Sequence, residues 1–178
     1  HTSLARRPPV YIQTLGSLGE ILSYPAETYR DGSTTANVVA DRRLATLLGC
    51  PEGTRWFRIS GVRRSEGIAL PLAWQDIYIL PRLAGVVRSS NLDREPVYAQ
   101  LERMFGQTTE CARVAFFPSR VPRTIAAALQ VKAGTPAITI IRRYIDKDAC
   151  NFETTVTIHP EGRITYSMEF RRELRAPR

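Results

Sequence analysis

The 178-residue sequence has few cysteines, few histidines and no long apolar run, and each shortage excludes a class of protein. Its three cysteines, Cys50, Cys111 and Cys150, are widely spaced and form no CxxC pair, which argues against a disulfide framework and suits a reducing cytosol. His1 and His159 are the only histidines, so a Cys/His zinc site cannot be assembled. No apolar run approaches the roughly 20 residues that span a bilayer. We therefore expect a cytoplasmic protein without a metal, a cofactor or a membrane partner.

Lysine is also scarce, because Lys132 and Lys147 are the only lysines among 25 basic residues. The basic residues exceed the 17 acidic ones and give a net charge of +8, which attracts nucleic acid or an anionic small molecule. The arginines are scattered in pairs, and aromatic residues are not interleaved with them as stacking platforms would require. A nucleic-acid-binding module in its own right stays an alternative. It predicts a strongly salt-dependent affinity for DNA.

Two segments, residues 41–64 and 122–145, resemble each other in register. Each combines a short apolar helix, a Gly-Thr pair and an alternating strand. Ala45, Leu48, Gly53, Thr54 and Ile59 align with Ala126, Leu129, Gly134, Thr135 and Ile140. These matches predict two related halves.

Local patterns predict the elements of each half. Asp41 is a good N-cap for a helix that Gly49 ends. A second helix begins at Pro96 and ends at Gly106, and a shorter one begins at Ser17. Period-two alternation predicts strands over residues 56–64, 70–80, 138–144, 152–159 and 163–173. Long hairpins with separate short helices indicate an α+β domain with a mainly antiparallel sheet.

Taken in order, these segments form a series of short motifs. The series is Ala45–Leu48, Gly53-Thr54, Arg63, Gly67, Pro96-Val97-Tyr98, Ala126–Leu129, Gly134-Thr135-Pro136, Arg142-Arg143-Tyr144 and Glu153. It resembles the UTRA domain, the effector-sensing domain of the HutC branch of the GntR superfamily of bacterial transcriptional regulators. The resemblance covers residues 10–174 and implies a chorismate-lyase-like fold that binds a small effector and forms a homodimer.

The resemblance also implies a winged helix-turn-helix domain before the UTRA domain in full-length members. We expect residues 1–9 to be a linker, and we expect this chain to be a fragment of a repressor that contacts DNA only through the domain that it lacks. The alternative is a chorismate-lyase-like enzyme acting on a small carboxylate. Because the sequence shows no nucleophile–base pair, no metal set and no phosphate-cradling glycine loop, we expect no enzymatic activity.

Arg63 is the first candidate effector-binding residue. It shares a strand face with Phe57 and Ile59, where a guanidinium is costly unless it is paired. The family resemblance implies two arginines, two residues apart, that clamp an anionic group of the effector. Position 61 is a glycine here, so only Arg63 matches, and a carboxylate becomes more plausible as the effector's anion than a phosphate. The alternative is a surface arginine at a hairpin end.

Glu153 and His159 lie on one polar face of a predicted strand. The resemblance implies that both positions contact the effector, with His159 replacing a tyrosine by another ring that forms hydrogen bonds and titrates near neutrality. Alternatively, Glu153, Thr155, Thr157 and His159 simply face water.

Gln75, Tyr98 and Ser17 complete the candidate set. The family resemblance implies that Gln75 occupies a position usually held by glutamate. It also implies that Tyr98 matches a tyrosine near the effector; the alternative is that Tyr98 is a core residue of its helix. Ser17 is predicted to cap a helix. Either the free N–H groups of that helix bind an anion of the effector, or Ser17 is an ordinary N-cap without a ligand. Trp56 and Trp74 are either pocket walls or core residues.

Overall fold

The computed structural model describes residues 11–15 and 27–169, and its main feature is a six-stranded antiparallel sheet. The strands of this sheet are β2 (Thr28–Val39), β3 (Arg55–Ser65), β4 (Ile68–Ile79), β5 (Cys111–Arg120), β6 (Pro136–Ile145) and β7 (Asn151–Pro160). Their order across the sheet is β2-β3-β4-β7-β6-β5. Two short strands, β1 (Tyr11–Leu15) and β8 (Ile164–Met168), pair with each other in parallel. This architecture confirms the predicted α+β class.

Short helices flank the sheet. They are α1 (Arg42–Leu48), a 3₁₀ helix (Pro81–Arg88), α2 (Val97–Phe105) and α3 (Arg123–Ala126). The predicted caps of α1 are confirmed, since the Asp41 side chain accepts a hydrogen bond from the Leu44 N–H at 2.8 Å and Gly49 adopts the left-handed conformation. Within the described residues, no helix has the length and apolar character needed to cross a bilayer.

The two halves show the same local geometry, as the sequence repeat predicts. The hydroxyls of Thr54 and Thr135 each donate to the carbonyl three residues earlier, at 2.6 and 2.7 Å. The preceding glycines, Gly53 and Gly134, have φ of +85° and +82°. Because residues with a side chain rarely adopt a positive φ, glycine is favoured in both turns.

The two faces of the sheet differ in what covers them. Face A is the side that carries Ile59 and Arg63 of β3, and face B is the side that carries Trp56 and Trp74. One apolar cluster packs on face A beneath the 3₁₀ helix and α2, with Ile59, Ile77, Ile79, Leu83, Val86, Val97, Leu101, Tyr144 and Phe152 buried in it. Face B has two separate clusters, one beneath α1 and one beside α3. Trp56 and Trp74 therefore lie on the opposite side of the sheet from Arg63 and do not wall a pocket with it.

Several elements differ from the predicted ones. The patterns predict neither β2, β5 nor the 3₁₀ helix. The last strand is described over Ile164–Met168 and pairs with β1, and residues 170–173 of the predicted strand lie outside the described residues. The helix predicted at Ser17 lies outside the described residues.

Replacement of Arg143 by alanine is expected to lower the free energy of unfolding by about 1–3 kcal/mol, because two charge-assisted hydrogen bonds to helix carbonyls are lost. Arg143 on β6 donates from Nε to the carbonyl of Leu48 at 3.0 Å and from Nη2 to that of Leu47 at 2.7 Å, which joins the end of α1 to the sheet. Urea denaturation measures the change. Arg113→Ala, at the exposed position opposite Arg143 on β5, is the matched control and should be nearly neutral. Equal losses in both variants would contradict this role.

Candidate functional site

One half of face A is polar and nevertheless buried. Its members, here called the polar cluster, are Arg30, Arg63, Gln75, Arg142, Glu153, Thr155, Thr157 and His159, each at most 4% exposed. Charged side chains are almost never buried to this degree unless they are paired or serve a site. The burial excludes the alternative that the polar residues of β7 simply face water.

Strand register brings these residues together across β3, β4, β7 and β6, and the neighbouring β2 adds Arg30. Gly61 on β3 lies opposite Gln75 on β4, and Gln75 lies opposite Thr157 on β7. One step along the sheet, Thr155 on β7 lies opposite Arg142 on β6. Directly opposed residues of antiparallel strands share a face, so the cluster is continuous from β3 to β6.

Arg63 is held by the backbone around it. Its Nη2 donates to the hydroxyl of Thr28 at 2.7 Å and to the carbonyl of the same residue at 3.3 Å, and its Nη1 donates to the carbonyl of Asp93 at 3.3 Å. With 4% of its surface exposed, it is not a surface arginine at a hairpin end. These three contacts are to neutral oxygen acceptors.

Arg30 brings a second positive charge to the same region from β2. Its Cα lies opposite that of Arg63, and its side chain crosses Gly61 so closely that a Cβ at position 61 would lie 2.6 Å from its Cγ. Beyond Gly61, Nη1 donates to Oε1 of Gln75 at 3.2 Å, and Nη2 forms an ion pair with Asp93 at 3.2 Å. The glycine at position 61 therefore makes room for an arginine that comes from the neighbouring strand.

Glu153 lies where the apolar and polar halves of face A meet. Its Oε1 accepts a hydrogen bond from the hydroxyl of Thr155 at 3.2 Å, whereas its Oε2 is buried and has no hydrogen-bond partner among the described residues. Burial raises the pKa of Glu153 to about 8, against the lowering effects of Thr155 and the charge of Arg30. The carboxyl is consequently protonated near neutral pH and is able to donate a hydrogen bond. The hydroxyl of Thr157 is likewise buried without a partner in the described part of the chain.

His159 closes the far end of the cluster. Its Nδ1 lies 3.3 Å from the carbonyl of Leu72, and its Nε2 lies 3.2 Å from the hydroxyl of Tyr166 on β8. Burial and the neighbouring charge of Arg142 lower the pKa of His159 to about 3, so the ring is neutral at physiological pH. A neutral ring with a carbonyl at Nδ1 carries its proton there and accepts at Nε2.

The remaining candidates lie elsewhere. Tyr98 is half-buried and stacks on Tyr144 with 4.8 Å between ring centroids, as part of the apolar cluster of face A. Tyr144 is the residue opposite Glu153, so Tyr98 borders the polar cluster without belonging to it. Ser17 lies outside the described residues.

Sequence reasoning missed Arg30, Arg142 and Thr157 as site residues. Arg142 and Thr157 carried a usable signal, since the alternation of their strands places them on the face of Glu153. Arg30 carried none, because β2 was not predicted and the path of its side chain depends on a cross-strand contact.

The fold and its buried polar half define an α+β domain of the chorismate-lyase-like class. The sequence matches the model of the UTRA domain over residues 34–165, and the chain therefore belongs to the UTRA domain family. No curated protein matches the sequence.

Three solved structures are similar over most of the chain. The PhnF C-terminal domain has a TM-score of 0.70 at 18% identity, over 96% of this chain and 100% of that one. The effector domain of PhnF from Mycobacterium smegmatis has a TM-score of 0.68 at 21% identity, over 90% and 99%. The ligand-binding domain of a Bordetella bronchiseptica protein described as a GntR-family transcriptional regulator has a TM-score of 0.59 at 16% identity, over 78% and 92%. At these identities the likeness establishes the fold.

Proposed function

We propose that this domain senses a small anionic effector in the polar cluster of face A, as part of a GntR-type transcriptional regulator. The observation that carries the proposal is that two buried polar atoms of the cluster, Glu153 Oε2 and Thr157 Oγ1, have no hydrogen-bond partner within the part of the chain that the structure describes. A buried polar atom without a hydrogen bond costs about 1–3 kcal/mol, and such atoms in a native protein call for an explanation. A bound ligand that supplies the missing partners is that explanation.

The cluster suits an anion that also carries hydrogen-bonding groups. Arg30 and Arg63 supply two guanidinium groups at one end, and a paired arrangement of this kind recognises carboxylate or phosphate. Glu153 and Thr157, four residues apart on one strand and so about 13 Å apart along it, suit hydroxyl, carbonyl or amide groups. Because Arg30 restores the charge that Gly61 lacks, the cluster does not favour carboxylate over phosphate.

Regulation would require that the effector bind two arrangements of the protein with different affinities. We infer that a winged helix-turn-helix domain precedes this one in the parent protein, which we assign to the HutC branch as a homodimeric repressor. In support, the chain spans 99% of the PhnF effector domain but 73% of a longer PhnF structure from the same organism. DNA binding would then belong to the remaining part, and its response to the effector follows from linkage.

Thermal shift against sugar phosphates, carboxylates and amino-acid catabolites tests the proposal. A ligand that binds only the folded state stabilises it by about 2.7 kcal/mol at a hundred times its Kd, and so raises the melting temperature. We expect at least one anionic compound to do so, and we expect Arg63→Ala and Thr157→Val to abolish the shift. Arg64→Ala is the matched control, because Arg64 is the next residue along β3, points to face B and pairs with Asp31 at 3.0 Å.

Two results would overturn the proposal. One is a hit that responds equally to Arg63→Ala and Arg64→Ala, which would place binding outside the cluster. The other is a hit that is recovered chemically converted, which would indicate the enzyme instead of the sensor.

A further inference from the structure

A second cavity lies on face B, on the opposite side of the sheet from the polar cluster. It has a volume of about 610 Å³. Thr139 on β6 and Val156 and Ile158 on β7 form its floor, and Leu47 of α1 and Phe117 of β5 form its walls. This volume falls within the range of about 300–1,000 Å³ that is typical of small-molecule sites.

The cavity exists because the core of face B is divided. Val156 belongs to the cluster beneath α1, whereas Ile158 packs against the cluster beside α3. Helix α3 has only four residues, and among the residues that the structure describes the cavity lies over the sheet between α3 and α1. Phe117 consequently keeps 37% of its surface exposed on the cavity wall.

The rim of the cavity is positively charged. Arg42 and Arg43 of α1 and Arg120 of β5 line it, and no acidic residue does so among the residues that the structure describes. Arg120 donates to the carbonyl of Gly134 at 3.0 Å. Arg42 and Arg43 are exposed and take part in no ion pair or side-chain hydrogen bond within the described part of the chain. The rim therefore places three guanidinium groups around a mainly apolar floor, and those of Arg42 and Arg43 are available to an anion.

We propose that this cavity is a second ligand site, which takes a small amphipathic carboxylate with an acyl or aryl body. The apolar body would fill the gap between the two clusters, and the carboxylate would lie between the rim arginines, which suit an anion by charge and by geometry. A second copy of this chain would have to bring acidic residues to the arginine rim, and sedimentation tests that occupant. The site is independent of the effector proposed for face A.

Titration with decanoate and with 8-anilinonaphthalene-1-sulfonate tests the proposal, by calorimetry and by fluorescence. We expect saturable binding of one probe per chain. The double variant Arg42→Glu/Arg43→Glu should weaken it by about tenfold or more, because the anionic head of the probe then meets two carboxylates in place of two guanidinium groups. Ser119→Trp should block it, because Ser119 lines the cavity from the edge strand β5.

The matched control is Arg88→Glu/Lys147→Glu, which changes the net charge equally at two exposed positions that do not line the cavity. This variant and Arg63→Ala should bind the probes as the wild type does. Loss of binding in the control, retention in both cavity variants, or the absence of saturable binding would overturn the proposal. A change of the sedimentation mass caused by Ser119→Trp in the absence of any probe would also overturn it, since that result would identify a subunit interface.

Discussion

Replacing Gly61 by alanine is expected to lower the free energy of unfolding by about 1–3 kcal/mol, the usual cost of inserting a carbon into a packed interior. The added Cβ would lie 2.6 Å from Cγ and 2.9 Å from Cδ of Arg30, and 3.0 Å from the carbonyl oxygen of Asp31. Arg30 cannot swing away cheaply, because Ser33, Gln75 and the carbonyl of Leu92 each accept a hydrogen bond from it. Urea denaturation at neutral pH measures the loss.

A double-mutant cycle shows whether Arg30 is the cause. Arg30→Ala alone also destabilises the protein, since the acceptors that it serves lose their donor. In the Gly61→Ala/Arg30→Ala protein the main clash is gone, so the combined loss should be smaller than the sum by about 1 kcal/mol or more. The control pair is Gly61→Ala/Arg64→Ala, which should be additive because Arg64 points to face B. Additivity in both pairs would contradict the close approach of Arg30 to Gly61.

The same contact explains how this chain departs from the pattern implied for its family. An arginine at position 61 and the observed path of Arg30 would occupy the same space, so the two arrangements exclude each other. A positive charge is retained beside position 61, but Arg30, which supplies it, also bonds to Gln75 and Asp93. An effector that reads this charge must then be compatible with a guanidinium oriented by β2 rather than by β3.

The predicted fold succeeded where burial leaves a periodic signal. The strands β3, β4, β6 and β7 occupy the middle of the sheet, and their alternating side chains pack on two covered faces. The edge strands β2 and β5 escaped prediction because at least half of the residues in each are exposed and no apolar stripe marks them. The 3₁₀ helix begins at Pro81, and its two buried residues, Leu83 and Val86, are too few to mark a helical period.

The site was predictable only along single strands. Arg63, Glu153 and His159 were found because each belongs to a strand whose alternation was readable and whose motif resembles the family. Arg30 depends on register between strands, which no local pattern contains. Burial of the polar residues was also not readable, since Thr155 and Thr157 alternate with apolar neighbours just as water-facing residues would.

The free energy of unfolding is expected to be highest between about pH 4.5 and 6.5 and to fall on both sides. In the unfolded chain Glu153 ionises near pH 4.5, whereas burial raises its folded pKa to about 8. Between these values only the unfolded carboxyl releases its proton, so the contribution of Glu153 to stability falls as pH rises. His159 is protonated below about pH 6.5 in the unfolded chain, whereas burial lowers its folded pKa to about 3. The contribution of His159 therefore falls as pH decreases from 6.5 to 3. The two contributions change in opposite directions and cancel between pH 4.5 and 6.5, and each limb outside this range has a limiting slope of about 1.4 kcal/mol per pH unit.

Two substitutions separate the limbs in chemical denaturation measured from about pH 3 to pH 9. Glu153→Gln keeps a polar group of the same shape and removes the titration, so the decline above pH 6.5 should flatten while the acid limb remains. His159→Gln should flatten the decline below pH 4.5 and leave the alkaline limb. Glu161→Gln, in the exposed turn after β7, removes the same charge without burial and should follow the wild-type profile. If Glu153→Gln ran parallel to the wild type throughout, Glu153 would be ionised in the folded protein, and an anionic effector beside it would be electrostatically disfavoured.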